Sequence, residues 1–568
     1  MCEATDNASS ETAGLKQPGR KVKIVIGLLV VLCSLFLSSA GKQNLGVGAI
    51  DEIPHLSSAC EIAEETTFWE FPAYYLSGEF DDAYRGPIYL WLLSTFCHRD
   101  YEVAGSVRAL NVVIGAAGAL LCYVLVSLLA GWTVGAIAGF LMAFSADVTI
   151  YNGIAAAEPL VILICLPTWY FYLRGFEGRH RHWIWALALT GVCYHVKAQG
   201  AFLVPAFLLA GVITYKWQFF RMRSLWIGLA AFFIVMLPGL IRNVNAFGTP
   251  FYSIPSRELW LDKLDQHHEP GWEEKYGLVQ YFQTHSIAEF VERTGDGFSQ
   301  QIGIISAAIL APSRISGVVG IISTIIGAVA FLAFLLGLAA DSDRKRFTFH
   351  LILLAIFVVV FSQKTGIGCH ARFYYPIIGM FVLYAGSGFV LGYQALNGAL
   401  PRTSMRWLAF FCIFVLAFYA LLTARKGVTE AGLAVWRVPS LENTATEHAM
   451  RYIESNLPEG QTVYAAPSAV MAPVEWVLDG KYAVKWVPYL QDWESARGEL
   501  LKTPGGYLVV DEATMQRRDA VLGGFIDVAA DGSLELDVDN MPDILKPVWQ
   551  YGEPAEVIIL QIVPPEGD

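Results

Sequence analysis

The sequence predicts a polytopic α-helical membrane protein with a small α/β domain at its C-terminal end, outside the membrane. Three observations predict it. Of 568 residues, 55% are hydrophobic and only 16% charged, where a soluble protein is near a quarter charged; mean hydropathy is +0.46. The apolar residues gather in runs long enough to cross ~30 Å of hydrocarbon. From residue 440 onward, short strand and helix patterns alternate between turn signals.

About eleven spans are expected, at 24–40, 104–128, 132–150, 154–173, 182–197, 200–215, 225–241, 315–339, 347–363, 373–393 and 406–423, with a re-entrant piece around 300–312. The tail 1–23 is basic from Lys16 to Lys23, which keeps it in the cytoplasm. No small-residue cleavage site follows the first span, so that span reads as a signal anchor. The basic clusters between later spans run from Arg174 to His182, Lys216 to Arg223, Asp341 to Arg346 and Arg402 to Arg406. All fall on the same side as the N-terminus, as the positive-inside rule requires. The opposite side receives a loop at 41–103, another at 242–314, and the region 424–568.

The first outer loop carries eleven Asp or Glu against two Arg between Asp51 and Glu102. Ile53–Glu65 and Pro87–Phe96 read as short interfacial helices, with aromatics such as Trp69, Tyr84 and Trp91 at headgroup level. Beyond 424, helices are expected at 446–455 and 493–501, and strands at 461–465, 482–487, 506–510 and 557–563. This domain has no GxGxxG, P-loop or nucleophile elbow, so no catalysis is assigned to it. A net charge of −12 speaks against nucleic-acid binding. The nine cysteines show no CxxC pairing; Cys60 and Cys97 share the first outer loop and could pair in an oxidising compartment.

Candidate chemistry collects on the outer face. Asp51-Glu52 follows the first span by about ten residues and emerges near the membrane surface. Glu158, in Ala157-Glu-Pro159, sits at the outer end of the fourth span, where ionisable side chains are costly and usually functional; Asp147 ends the preceding span on the same side. Lys197 occupies a tight outer turn, Arg242 ends the seventh span, Arg372 opens the tenth, and Arg85 lies in Tyr84-Arg-Gly-Pro87. Singly, each cation reads as a lipid-headgroup contact. Together, on a face poor in positive charge, they point to an anion site of the kind a phosphate needs.

With these residues in order, the chain resembles the bacterial GT-C glycosyltransferases, the group of protein O-mannosyltransferases and lipid A aminoarabinose transferases. The resemblance covers residues 24 to about 423. It rests on Asp51-Glu52, Arg85-Gly-Pro-Ile-Tyr89, Arg108-Ala-Leu-Asn111, Ala157-Glu158-Pro159, Lys197, Arg242-Asn243 with Phe247-Gly-Thr-Pro250, and Arg372-Phe-Tyr-Tyr-Pro376. It implies a sugar carried on a polyprenyl phosphate and moved, usually with inversion, to an acceptor hydroxyl on a lipid, glycan or protein. Asp51 is then the base, Glu52 and Glu158 position donor or acceptor, and Lys197, Arg242, Arg372 and Arg85 hold the phosphate. Asp51, Glu52 and His55 could instead hold a divalent metal ion if their segment is helical. The expected location is the inner (plasma) membrane, with the N-terminus cytoplasmic and the C-terminal domain periplasmic or extracellular. The competing readings are a secondary transporter, which would bury charge near mid-membrane between repeated halves, and a non-catalytic membrane scaffold.

Overall fold

The long apolar runs form helices close to their expected positions. The structure, a computed structural model, describes residues 18–42, 52–97, 101–262, 266, 272–310, 318–364, 371–399, 445–465, 481–486, 493–511, 515, 521–529 and 533–564. The helices up to residue 399 are, in chain order, α1 (Arg20–Lys42), α2 (Glu52–Glu65), α3 (Phe71–Ser77), α4 (Pro87–Ser94), α5 (Tyr101–Ala130), α6 (Trp132–Phe144), α7 (Ala146–Asn152), α8 (Glu158–Phe176), α9 (His182–Val196), α10 (Leu203–Tyr215), α11 (Arg223–Phe247), α12 (Ile254–Glu258), α13 (Trp272–Lys275), α14 (Leu278–Thr284), α15 (Ile287–Leu310), α16 (Val318–Ala339), α17 (Arg344–Ser362) and α18 (Ile378–Ala399). Short 3-10 helices lie at Ala198–Phe202, Lys216–Arg221 and Ala371–Ile377. Among the described residues, seven helical segments are long and apolar enough to cross a membrane. The span expected at 406–423 and the basic cluster at 402–406 lie outside the described residues.

Two compact units divide the chain: Met1–Asn44, Ile62–Thr95 and Val107–Trp436 form one, and Leu45–Glu61, Phe96–Ser106 and Arg437–Asp568 the other. Within the first, the expected third span is broken. α6 ends at Ser145, whose hydroxyl accepts from the Val148 amide (3.5 Å) and starts α7 anew, because a serine side chain competes for backbone bonds at such a point. The region around 300–312 is helical through 310, as the end of the polar-faced α15; residues 311–312 lie outside the described set. α16 and α18 cross at backbone contact: a Cβ on Gly388 would stand 1.8 Å from the Ala333 carbonyl, and one on Gly337 2.0 Å from that of Tyr384. Small residues permit such approach where lipid supplies no hydrophobic drive.

A buried polar chain ties α8, α17 and α18 together. Trp169 Nε1 donates to His350 Nε2 (2.8 Å), His350 Nδ1 to the Tyr384 hydroxyl (2.8 Å), and that hydroxyl to Asp341 Oδ2 (2.6 Å), which also accepts from Arg346 Nε (2.8 Å). Tryptophan can only donate and an ionised aspartate can only accept. The ends therefore fix the direction of every bond and require a neutral His350.

In the second unit, α19 (Ala445–Asn456) and α20 (Trp493–Leu500) accompany β1 (Thr462–Ala465), β2 (Ala483–Trp486), β3 (Tyr507–Asp511), β4 (Ile526–Val528), β5 (Leu534–Leu536), β6 (Leu545–Tyr551) and β7 (Val557–Ile562). The main sheet has the order β2-β1-β3-β7-β6, parallel across β2-β1-β3 and antiparallel across β3-β7-β6, while β4 and β5 pair separately. Leu508, Val510, Leu522, Ile526, Ile558 and Leu560 fill its core. The expected elements are present; β4, β5 and β6 are additions. β6 carries Pro547 and a register shift beside it, which a strand tolerates at a sheet edge but which hides its alternation. Cys60 and Cys97 are not joined by a disulfide, so the anticipated pairing is absent; Cys97 Sγ faces the Leu56 carbonyl at 3.7 Å.

Candidate active site

Glu158 is the first residue of α8, followed by Pro159, and its side chain is 1% exposed. A carboxylate in the first turn meets the positive end of the helix dipole, and proline there costs no hydrogen bond. The turn ahead of it is held by Asn111 on α5. Asn111 Nδ2 donates to the carbonyls of Ile154 (2.5 Å) and Ala156 (2.9 Å), with the Tyr89 hydroxyl at 2.9 Å.

The pairing of α8 with α9 brings Lys197 opposite Glu158. Tyr172 meets Thr190 (2.8 Å), Cys165 meets Cys193 (3.4 Å), and Glu158 Oε1 accepts from Lys197 Nζ. Residue numbers rise on one helix as they fall on the other, so these are rungs of an antiparallel pair. Lys197 is the last rung, where α9 gives way to extended backbone. Arg372, in the 3-10 helix Ala371–Ile377, adds a second cation: its Nη1 lies 3.6 Å from Glu158 Oε1, and its guanidinium 5.7 Å from the Tyr151 ring centre. Three predicted residues, from the ends of three different elements, thus meet at one carboxylate.

Arg85 and Arg242 gather at a neighbouring cleft of about 50 Å3, lined also by Asp82, Tyr194, His195 and Tyr252. Arg242 donates from Nε to Phe80 O (2.8 Å), from Nη1 to Asn243 Oδ1 (2.9 Å) and from Nη2 to Asp82 O (2.7 Å). Its guanidinium lies 4.8 Å from the Phe247 ring centre. Arg242 therefore builds the cleft wall by clamping the 80–82 loop. Asp82 in turn accepts from the Arg85 guanidinium (2.7 Å) and from the amides of Tyr84 and Arg85. Gly86 lets this loop touch the end of α9: a Cβ there would stand 2.2 Å from the Val196 carbonyl. His195 and Ala198 line the cleft, so the cleft runs past Lys197, the residue that pairs with Glu158.

Asp51 lies outside the described residues. Glu52 opens α2 with its side chain fully buried, and His55, one turn later, is 8% exposed. The helix that a metal set of Asp51, Glu52 and His55 would need is present from Glu52 onward. Among the described residues, no three His, Cys, Asp or Glu side chains gather as metal ligands. Sequence reasoning named Asn111 only within the Arg108-Ala-Leu-Asn111 stretch and gave it no role, and it passed over Tyr151.

Residues 84–241 match the family model of dolichyl-phosphate-mannose-protein mannosyltransferases. No curated protein matches in a sequence comparison. Among solved structures, ArnT from Cupriavidus metallidurans bound to undecaprenyl phosphate is similar with a TM-score of 0.54 at 12% identity, over 95% of this chain and 98% of that one. The oligosaccharyltransferase AglB from Archaeoglobus fulgidus, in complex with an inhibitory peptide and a dolichol-phosphate, is similar with a TM-score of 0.54 at 11% identity, over 92% of this chain and 75% of that one. At such identities the likeness is one of fold.

Proposed function

From the GT-C glycosyltransferase fold that this chain carries, we propose that it is an integral-membrane glycosyltransferase moving a sugar from a polyprenyl-phosphate donor to an acceptor hydroxyl. The observation that carries the reading is the convergence of Glu158, Lys197 and Arg372, beside a cleft that holds two further arginines. Chemically, glycosyl transfer needs a base for the acceptor and cations for the departing phosphate.

In this reading Asp51 takes the proton of the acceptor hydroxyl as its oxygen attacks the anomeric carbon from the face opposite the phosphate. The bond from that carbon to the phosphate oxygen breaks, with inversion, and the lipid phosphate leaves with the electron pair. Lys197 and Arg372 stabilise the charge that develops, Arg85 adds charge at the cleft, and Arg242 contributes charge while holding the cleft wall. Glu52 and Glu158 position the sugar or the acceptor. The ligand classes named with ArnT and AglB, a polyprenyl phosphate in each case, support the donor assignment. The basic clusters on the N-terminal side support an outward-facing site in the plasma membrane, with the N-terminus in the cytoplasm.

The test is transfer in proteoliposomes from labelled polyprenyl-phosphate sugars to lipid, glycan or protein acceptors, read by mass spectrometry. Asp51→Asn should lower turnover by about 10²–10⁴-fold, the range of general-base catalysis. Native turnover by Asp51→Asn would remove the assigned base. No transfer by the native protein from any donor would overturn the reading as a whole.

A further inference from the structure

Tyr375 belongs to none of the roles above, yet its surroundings are those of a ligand contact. It lies in the 3-10 helix Ala371–Ile377, where side chains three apart eclipse, so it shares a face with Arg372. Both sit against one ring: the Arg372 guanidinium is 5.7 Å from the centre of Tyr151, and the Tyr375 ring meets Tyr151 edge-on at 5.8 Å. Tyr375 is 1% exposed, and its hydroxyl has no hydrogen-bond partner among the described residues. A buried hydroxyl without a partner is costly. A phenylalanine would pack the same ring without that cost, so packing does not explain the oxygen.

The charges around this hydroxyl indicate what it meets. Asp147 and Glu158 act on it as carboxylates and Arg372 as a cation, with the Tyr151 phenol beside them. Lys197 is also bonded to Glu158, so two carboxylates face two cations and the hydroxyl meets no net positive charge. Such surroundings suit a neutral group whose hydroxyls accept from a phenol and donate to carboxylates, which is a sugar ring. Arg372 keeps 12% of its side chain exposed, while Tyr375 is buried.

We propose that the Tyr375 hydroxyl hydrogen-bonds a hydroxyl of the transferred sugar and so determines which sugar is accepted. This rests on the glycosyl-transfer reading. A site that pairs its buried polar group with one substrate hydroxyl discriminates against the analogue lacking it, because the group is then left unpaired.

The experiment compares the native protein with Tyr375→Phe on polyprenyl-phosphate mannose, glucose and galactose, and on the 2-, 3-, 4- and 6-deoxy forms of the best of these. In the native protein, one deoxy form should lose at least about 10-fold in kcat/KM. In Tyr375→Phe that one penalty should shrink to near unity while the others persist. Thermal unfolding of Tyr375→Phe should be unchanged or shifted upward, since no protein bond is lost. Equal slowing of every donor, a raised KM for all donors with weaker binding of undecaprenyl phosphate alone, unchanged deoxy penalties, or a lowered unfolding temperature would each overturn the assignment. Unchanged penalties with active transfer would sink Tyr375 alone, whereas absence of transfer by the native protein would sink the glycosyl-transfer reading with it.

Discussion

Replacing Lys197 by Met tests whether the Glu158 centre is a scaffold or a reacting site. Glu158 is 1% exposed and Lys197 23%, so the carboxylate has left water and the ammonium only in part. Breaking a fully buried pair from one side costs about 3–5 kcal/mol. Here Arg372 remains 3.6 Å away, and two unit charges near that distance still attract by about 4 kcal/mol at an effective dielectric of ~20. The helix N-terminus adds about 0.5 kcal/mol of support for the carboxylate. Lys197→Met should therefore cost about 2–3 kcal/mol, below the full range. Glu158→Gln should cost a similar amount, because it leaves Lys197 and Arg372 side by side without their anion. The double variant removes both charges and should recover about 2 kcal/mol of the summed loss, since the two residues act on each other directly. Urea unfolding in detergent micelles measures these energies, and transfer in proteoliposomes measures function. All three variants should lose at least about 100-fold in turnover, as loss of positioned charge in a site does. If the double variant regains transfer along with its stability, the pair is scaffolding, and the reasoning that made it the centre of the site is wrong.

Four further outcomes are expected. Arg242→Lys keeps the charge but cannot reach Phe80 O, Asp82 O and Asn243 Oδ1 together, so it should cost about 2 kcal/mol and raise the donor KM; native stability and KM would show that the clamp is idle. Gly86→Ala places a Cβ 2.2 Å from the Val196 carbonyl and should cost about 1–3 kcal/mol, with the Arg85 loop displaced in crosslinking to Lys197; an unmoved loop would contradict it. Asn111→Leu strands the carbonyls of Ile154 and Ala156 and should cost about 1–3 kcal/mol for each buried group left unpaired, read by thermal unfolding, and unchanged unfolding would argue that these carbonyls find other donors. Burial pushes the Asp341 carboxyl up, but bonds from Arg346 and Tyr384 outweigh it and hold the group below its ordinary value. A lowered folded value stabilises above the ordinary carboxylate range and fades as pH falls through the folded value, so native stability should drop below about pH 4 more steeply than that of Asp341→Asn; parallel curves would refute it.

The membrane part was legible because hydrocarbon forces backbone groups to pair within helices, so an apolar run states its own structure. What was hidden followed from single side chains acting against that rule. Ser145 restarts a helix that composition alone would run through, and Pro547 disrupts the alternation that would have marked an edge strand. The candidate site shows the same division. Topology could place Glu158, Lys197 and Arg372 on one face, because span order and charge bias fix sidedness. Sidedness cannot say that they touch. That depends on the register of α8 against α9, set by rungs such as Tyr172 with Thr190 and Cys165 with Cys193, and on the turn that Asn111 holds ahead of Glu158. Arg242 marks the opposite limit. Its position promised a free phosphate ligand, yet all three guanidinium nitrogens are bonded to protein. An arginine at a span end can thus serve an anion site by shaping it, and only the disposition of its N–H groups distinguishes that from direct contact. By the same argument, a residue that sequence reasoning named only within the Arg372-Phe-Tyr-Tyr-Pro376 stretch becomes a candidate contact: Tyr375, whose buried hydroxyl has no partner among the described residues.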